Sequence, residues 1–145
     1  LVAASFLATA MAYLQIPISI ASIIAEMNLT PMQLIIILSI FYILLGLFLE
    51  GVSILVMTLP LTLPLATQAG FSPIWFVIYL ILMIELAQVT PPIGFNLFII
   101  QGLTETPIGK VALAAAPFFL LMCVVVVLIT IFPNIALWLP SLLYG

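Results

Sequence analysis

The sequence predicts an all-α, polytopic integral membrane protein, and three observations carry that expectation. Of 145 residues, 68% are hydrophobic and only 3% charged, whereas about a quarter of the residues of a soluble domain are charged. The five charged side chains, Glu26, Glu50, Glu85, Glu105 and Lys110, cannot build a water-facing shell, so a lipid bilayer must cover most of the surface. The apolar runs are also interrupted by short polar stretches rich in proline, the sharpest being "ELAQVTPPIGFNLF" at 85–98.

Composition excludes several functions outright. One basic residue cannot neutralise a phosphate backbone, so nucleic acid is not a partner. With no histidine, no aspartate and a single cysteine (Cys123), a zinc site, a Ser-His-Asp triad and a paired-aspartate protease each lack essential parts. No enzyme chemistry and no organic cofactor is expected. Cys123 lies in "LLMCVVVVLIT" and reads as packing.

Residues 1–14 read as a membrane helix or the end of one. The opening has neither a methionine nor a basic leader, so no signal peptide is read, and the chain is expected to be part of a longer protein. In "IPISIASIIAEMN", 16–28, Ile16, Ile20, Ile23, Ile24 and Met27 fall on one helical face and Ser19, Ser22 and Glu26 on another. The stretch is too short to span, so an interfacial helix is expected, with an irregular loop as the alternative.

Thr30-Pro31 starts the next helix, proline being tolerated at the first helical position. It is expected to run to Leu49, the apolar stretch 34–49 covering about 24 Å. "EGVS", 50–53, interrupts it, and a second arm, "ILVMTLPLTLPLATQAG", follows to complete 31–69. There Thr58 and Thr62 share one helix face, as do Pro60 and Pro64, which suggests packing against protein or a wet cavity rather than bare lipid. Glu50 at membrane depth costs roughly 2.5–3.5 kcal/mol. Residues 31–69 therefore read either as a re-entrant hairpin with Glu50 at its tip or as two spans joined by an exposed turn, and length does not decide.

The stretch 73–103 reads as one helix broken in the middle. Pro91 and Pro92 have no amide hydrogen, and each disfavours helix in the residue before it, so the helix must stop near 88–94. Orphaned carbonyls in hydrocarbon cost several kcal/mol each, yet they make good ligands for a small hard cation. Gly94 permits close approach, and the half-helix from Phe95 points its positive end back at the break. Discontinuous helices of this kind mark the binding sites of secondary transporters, the alternative being a structural kink. "TETPIGK", 104–110, must reach water. Residues 113–132 make an ordinary span of about 30 Å ended by Pro133, with Trp138 and Tyr144 placed as interfacial aromatics. Lys110, the one basic residue, favours a cytoplasmic position for 104–110 and hence a periplasmic opening for 31–69.

The blocks "LEGVSILVMTLPLTLP", "GFSPIWF", "ELAQVTPPIGFNLFIIQG" and "FPNIALWLP", in this order and spacing, resemble the C-terminal part of the large membrane subunit of TRAP transporters (tripartite ATP-independent periplasmic transporters, DctM-like family). The resemblance implies half of an inverted-repeat, elevator-type importer in the bacterial inner membrane, driven by sodium. Its partners would be a small membrane subunit, a periplasmic substrate-binding protein and an organic-acid substrate such as a dicarboxylate or sialic acid. It turns the hairpin question toward re-entrance. The implied sodium site uses Gly51, Ser53, Ala87, Thr90 and Ile93, largely through backbone, with Thr90 also offering its hydroxyl. Glu50, Glu85, Pro91, Pro92, Gly94 and Asn96 would support it or touch substrate. At residue 87 the family usually has glycine, so the Ala87 methyl is expected to narrow access to the carbonyls. A non-transporting assembly subunit with a kinked helix is the rival reading.

Overall fold

The computed structural model describes the chain apart from residues 1–9, 11, 12, 28, 92, 93 and 145. Most of the expected first helix, 1–14, thus lies outside the described residues. The described residues form helices and no strand: α1 (Ile16–Glu26), α2 (Pro31–Gly46), α3 (Gly51–Gln68), α4 (Pro73–Val89), α5 (Phe95–Thr104), α6 (Ile108–Ile131) and α7 (Pro133–Tyr144).

Local chemistry sets the ends. Pro31 and Pro73 each open a helix where a missing N–H costs nothing. At Thr30, both the N–H and the hydroxyl donate to Oε1 of Gln33, at 3.1 and 3.0 Å. At the end of α3, Phe71 N–H bonds the Ala66 carbonyl and Gly70 N–H the Thr67 carbonyl, both at 3.0 Å. Gly70 adopts φ +96° in that reversal, a conformation costly for any residue with a Cβ.

The centre of the molecule is α4, which packs against α2, α3 and α6. Trp75, Phe76, Tyr79 and Leu80 on α4 and Leu38 and Tyr42 on α2 are essentially inaccessible to solvent. Because hydrocarbon outside is as apolar as the core, polar contacts between helices matter here. Tyr79 Oη lies 2.6 Å from Ser39 Oγ and donates to the Ile35 carbonyl at 3.1 Å, fixing α4 to α2. Trp75 Nε1 donates to the Ile129 carbonyl at 2.8 Å, fixing α4 to α6. Tyr42 Oη reaches Thr58 Oγ1 at 3.2 Å and Thr62 Oγ1 at 2.9 Å, so α2 and α3 are joined as antiparallel arms.

The two threonine hydroxyls keep their own protons on the Ile54 and Thr58 carbonyls, at 2.8 and 3.0 Å. Tyr42→Phe therefore removes a bond without stranding a partner, and its expected cost is about 1 kcal/mol. Thermal unfolding of the purified full-length protein measures it, and a loss above about 3 kcal/mol would contradict this assignment of the bonds.

Five expectations are refined. The first arm ends at Gly46 rather than Leu49, since Leu47–Leu49 turn the chain toward Glu50. The threonine face of α3 packs inward as expected, but Pro60 and Pro64 sit on the opposite, exposed face. On α1, Ile24 enters the core while Ile23 and Met27 remain exposed, and the helix packs on the hairpin arms. The last span begins at Ile108 rather than 113, and Pro133, expected only to end it, also starts α7, the proline serving as a first helical residue.

Candidate functional site at the hairpin tip and the helix break

The hairpin tip is organised by Glu50. Its carboxylate caps α3, accepting from Val52 N–H at 3.0 Å and from Ser53 N–H at 2.6 Å, and from the Ser53 hydroxyl as well. A carboxylate placed on the positive end of its own helix satisfies first-turn donors that lipid could not. Ser53 is thereby committed to Glu50, and both serve to shape the tip.

The break follows from the prolines. In an unbroken helix Ala87 and Gln88 would accept from residues 91 and 92, both proline, so neither carbonyl can have its helical partner. Thr90, forced to extended backbone (φ −60°, ψ 116°) by the proline after it, gives its N–H to the Ala87 carbonyl at 3.3 Å. Its hydroxyl donates to the Leu86 carbonyl at 2.9 Å, which leaves the oxygen's lone pairs available. Gly94 is buried with an ordinary φ of −86°, so space and not conformation demands glycine. A Cβ there would overlap the Gln88 carbonyl oxygen and stand 2.6 Å from its carbon. The negative end of α4 and the positive end of α5 thus face one another across five residues.

Hairpin and break meet at Gln88. A Cβ on Gly51 would lie 2.9 Å from Ile84 Cγ2 and 3.3 Å from Gln88 Nε2, so the bare tip rests on the last turns of α4. Gln88 is 5% exposed, and its Oε1 accepts from Asn96 Nδ2 at 3.3 Å, bridging the break side chain to side chain. Around this junction lies an open cleft of ≈ 370 Å³, lined by Glu50, Gly51, Glu85, Gln88, Asn96 and apolar neighbours including Phe95.

The expected site residues therefore separate into two groups. Glu50, Gly51, Glu85 and Asn96 line the cleft; Ser53, Ala87, Thr90, Pro91 and Gly94 do not, and Pro92 and Ile93 lie outside the described residues. Ala87 is fully buried, its methyl against Gly46. Gln88 was not expected to be central. Its signal, an amide three residues after a glutamate and eight before an asparagine, is visible only once the break folds the two half-helices together.

Among the described residues no group of three or more His, Cys, Asp or Glu could hold a metal ion. What the break offers is neutral oxygen: the Thr90 hydroxyl and the two carbonyls that prolines deprive of helical partners. Such a donor set suits a hard monovalent cation held weakly enough to be released. The cleft, with two carboxylates and two amides and no basic side chain, can orient hydroxyl and amide groups.

Residues 1–135 match the sequence model of the family described as "Tripartite ATP-independent periplasmic transporter, DctM component". The chain is 33% identical over 127 residues, 88% of its length and 30% of the relative's, to the C4-dicarboxylate TRAP transporter large permease protein DctM of Pseudomonas aeruginosa. It is 26% identical over 131 residues (90% and 31%) to the sialic acid TRAP transporter large permease protein SiaM of Vibrio cholerae. A third relative, the isethionate TRAP transporter permease protein DctMQ of Oleidesulfovibrio alaskensis, is 25% identical over 124 residues (86% and 20%). The chain thus spans less than a third of the length of these relatives.

Proposed function

The chain belongs to the DctM component family of tripartite ATP-independent periplasmic transporters, and on that premise we propose that it supplies the hairpin and broken helix of a sodium-coupled importer of organic acids. The observation that carries the reading is the junction at Gln88, where a capped hairpin tip rests beside two carbonyls that prolines deprive of their helical donors. Sodium binds at the break, through the Thr90 hydroxyl and the carbonyls around residues 87–93, with Gly51 closing one side. The substrate sits in the adjoining cleft near Glu50, Glu85 and Asn96. The named relatives transport a C4-dicarboxylate, sialic acid and isethionate, and this chain's substrate is an acid of that kind. Its anionic group is met by positive charge from the rest of the protein, since the one basic residue, Lys110, lines a different groove.

The hairpin re-enters the bilayer. Length leaves the choice open, since α3 is long and apolar enough to cross a membrane; the reading rests on the family's hairpin and on Gly51 at the tip, packed against Ile84 and Gln88. The bonds from Tyr42 and Tyr79 tie both arms and α4 together, so this part moves as one body during alternating access. A small membrane subunit and a periplasmic binding protein complete the transporter in the bacterial inner membrane. Sodium-gradient-driven uptake of a dicarboxylate, sialic acid or isethionate by the full-length protein, reconstituted with those partners, tests the reading. Equal uptake with potassium replacing sodium would remove its basis.

Lys110 favours a cytoplasmic position for the 104–110 segment, and with it a hairpin opening toward the periplasm and Gly145 on the periplasmic side. Alkaline phosphatase fused after Gly145 in the full-length protein is expected to be active, and green fluorescent protein at the same point dark. The reverse pattern overturns the orientation.

A further inference from the structure

Resting on the sodium-coupled reading, we infer that Gly46 is a positioning residue for the cation-liganding carbonyls of the broken helix. Gly46 ends the first hairpin arm and is buried directly against Ala87. A Cβ on Gly46 would overlap the Ala87 methyl and approach the Ala87 carbonyl carbon to 2.8 Å and its Cα to 3.1 Å. These obstacles are a methyl with no rotamer to change and the helix backbone itself, so only a relative movement of the end of α2 and the last turn of α4 relieves them. That turn carries the Ala87 and Gln88 carbonyls. Five residues on, Gly51 presses on Ile84 and Gln88 of the same turn. Two glycines flanking the hairpin turn therefore clasp the end of α4, and the position of the tip and the geometry of the cation ligands are coupled through these two contacts. The Ala87 methyl fills the space that Gly46 leaves.

The test measures sodium half-saturation and maximal uptake rate together, in the full-length protein with its partner subunits. Gly46→Ala is expected to raise the sodium concentration for half-maximal uptake roughly fivefold or more, the lower end of couplings between linked sites. Combining it with Ala87→Gly removes the methyl overlap but leaves the 2.8 Å approach to the carbonyl carbon, so sodium half-saturation recovers in part. Gly109→Ala, where a Cβ meets nothing within 4 Å, is the control and leaves half-saturation unchanged. A purely structural role for Gly46 would lower the maximal rate and the melting temperature without moving half-saturation, and that outcome overturns the proposal. So does a double variant no better than Gly46→Ala alone. If Gly46→Ala does not accumulate in the membrane, the double variant decides by the same criterion: recovery supports, failure overturns. Should uptake by the parent protein ignore sodium, the functional reading itself falls; a sodium-dependent parent with an unmoved Gly46→Ala removes only the positioning role.

Discussion

On the proposed sodium-coupled reading, Thr90→Val in the full-length protein is expected to raise the sodium concentration for half-maximal uptake by roughly 5- to 150-fold, the equivalent of 1–3 kcal/mol for one lost polar ligand in a site shielded from water. Valine keeps the branched shape and removes only the hydroxyl. In the structure that hydroxyl gives its proton to the Leu86 carbonyl at 2.9 Å, so its oxygen is turned into a pure acceptor, the state a cation requires. The substitution also strands the Leu86 carbonyl, which adds a stability cost of about 1 kcal/mol. Thr90→Ser separates the two effects: it restores the hydroxyl and is expected to return most of the sodium affinity. Sodium dependence that is the same in Thr90→Val and the parent would remove Thr90 from the site.

The break itself was legible in the sequence because its cause is local. Two consecutive prolines delete two helix donors wherever they fall, and the residue before them becomes extended regardless of what surrounds it. The interruption at Glu50 was legible for the same reason, an acidic residue next to a glycine between two apolar runs, but its carboxylate capping the next helix was not. Pairing across the turn was only half legible. The spacing of Thr58 and Thr62 marked a polar face on one arm, but nothing local marks Tyr42, sixteen and twenty residues away, as its partner. Gln88 was missed because helical periodicity stops at the break, and its bond to Asn96 spans a reversal that no period describes. Gly46 was missed because a glycine in an apolar helix signals packing in many contexts, and only the position of Ala87 makes it specific. The division of the expected residues follows from geometry as well. Glu85 and Gln88, three apart, share a face of α4 turned to the cleft, while Ala87 turns to α2 and the extended Thr90 leaves the helix altogether.

Gly94→Val is expected to abolish sodium-driven uptake, with Gly94→Ala reducing it severely. At this position a Cβ would overlap the Gln88 carbonyl oxygen and come within 2.6 Å of its carbon and 3.0 Å of Val89 N. All three obstacles are backbone, so no side-chain rotation relieves them, and the carbonyl must swing away or the break must open. Either movement displaces a carbonyl that Pro92 has already deprived of its helical donor. It also shifts Asn96, which starts from the same turn and reaches back to Gln88 at 3.3 Å. Misplacing ligands by about 1 Å can cost two orders of magnitude in a preorganised site. Because φ at Gly94 is −86°, an alanine there suffers no backbone strain, and the loss reports contact alone. The expected signature is a protein that reaches the membrane and binds its partner subunit, yet shows no sodium-dependent uptake. Gly94→Ala with uptake and sodium half-saturation like those of the parent would show that the Gln88 carbonyl can move freely, and a carbonyl so free cannot be part of a preformed cation site.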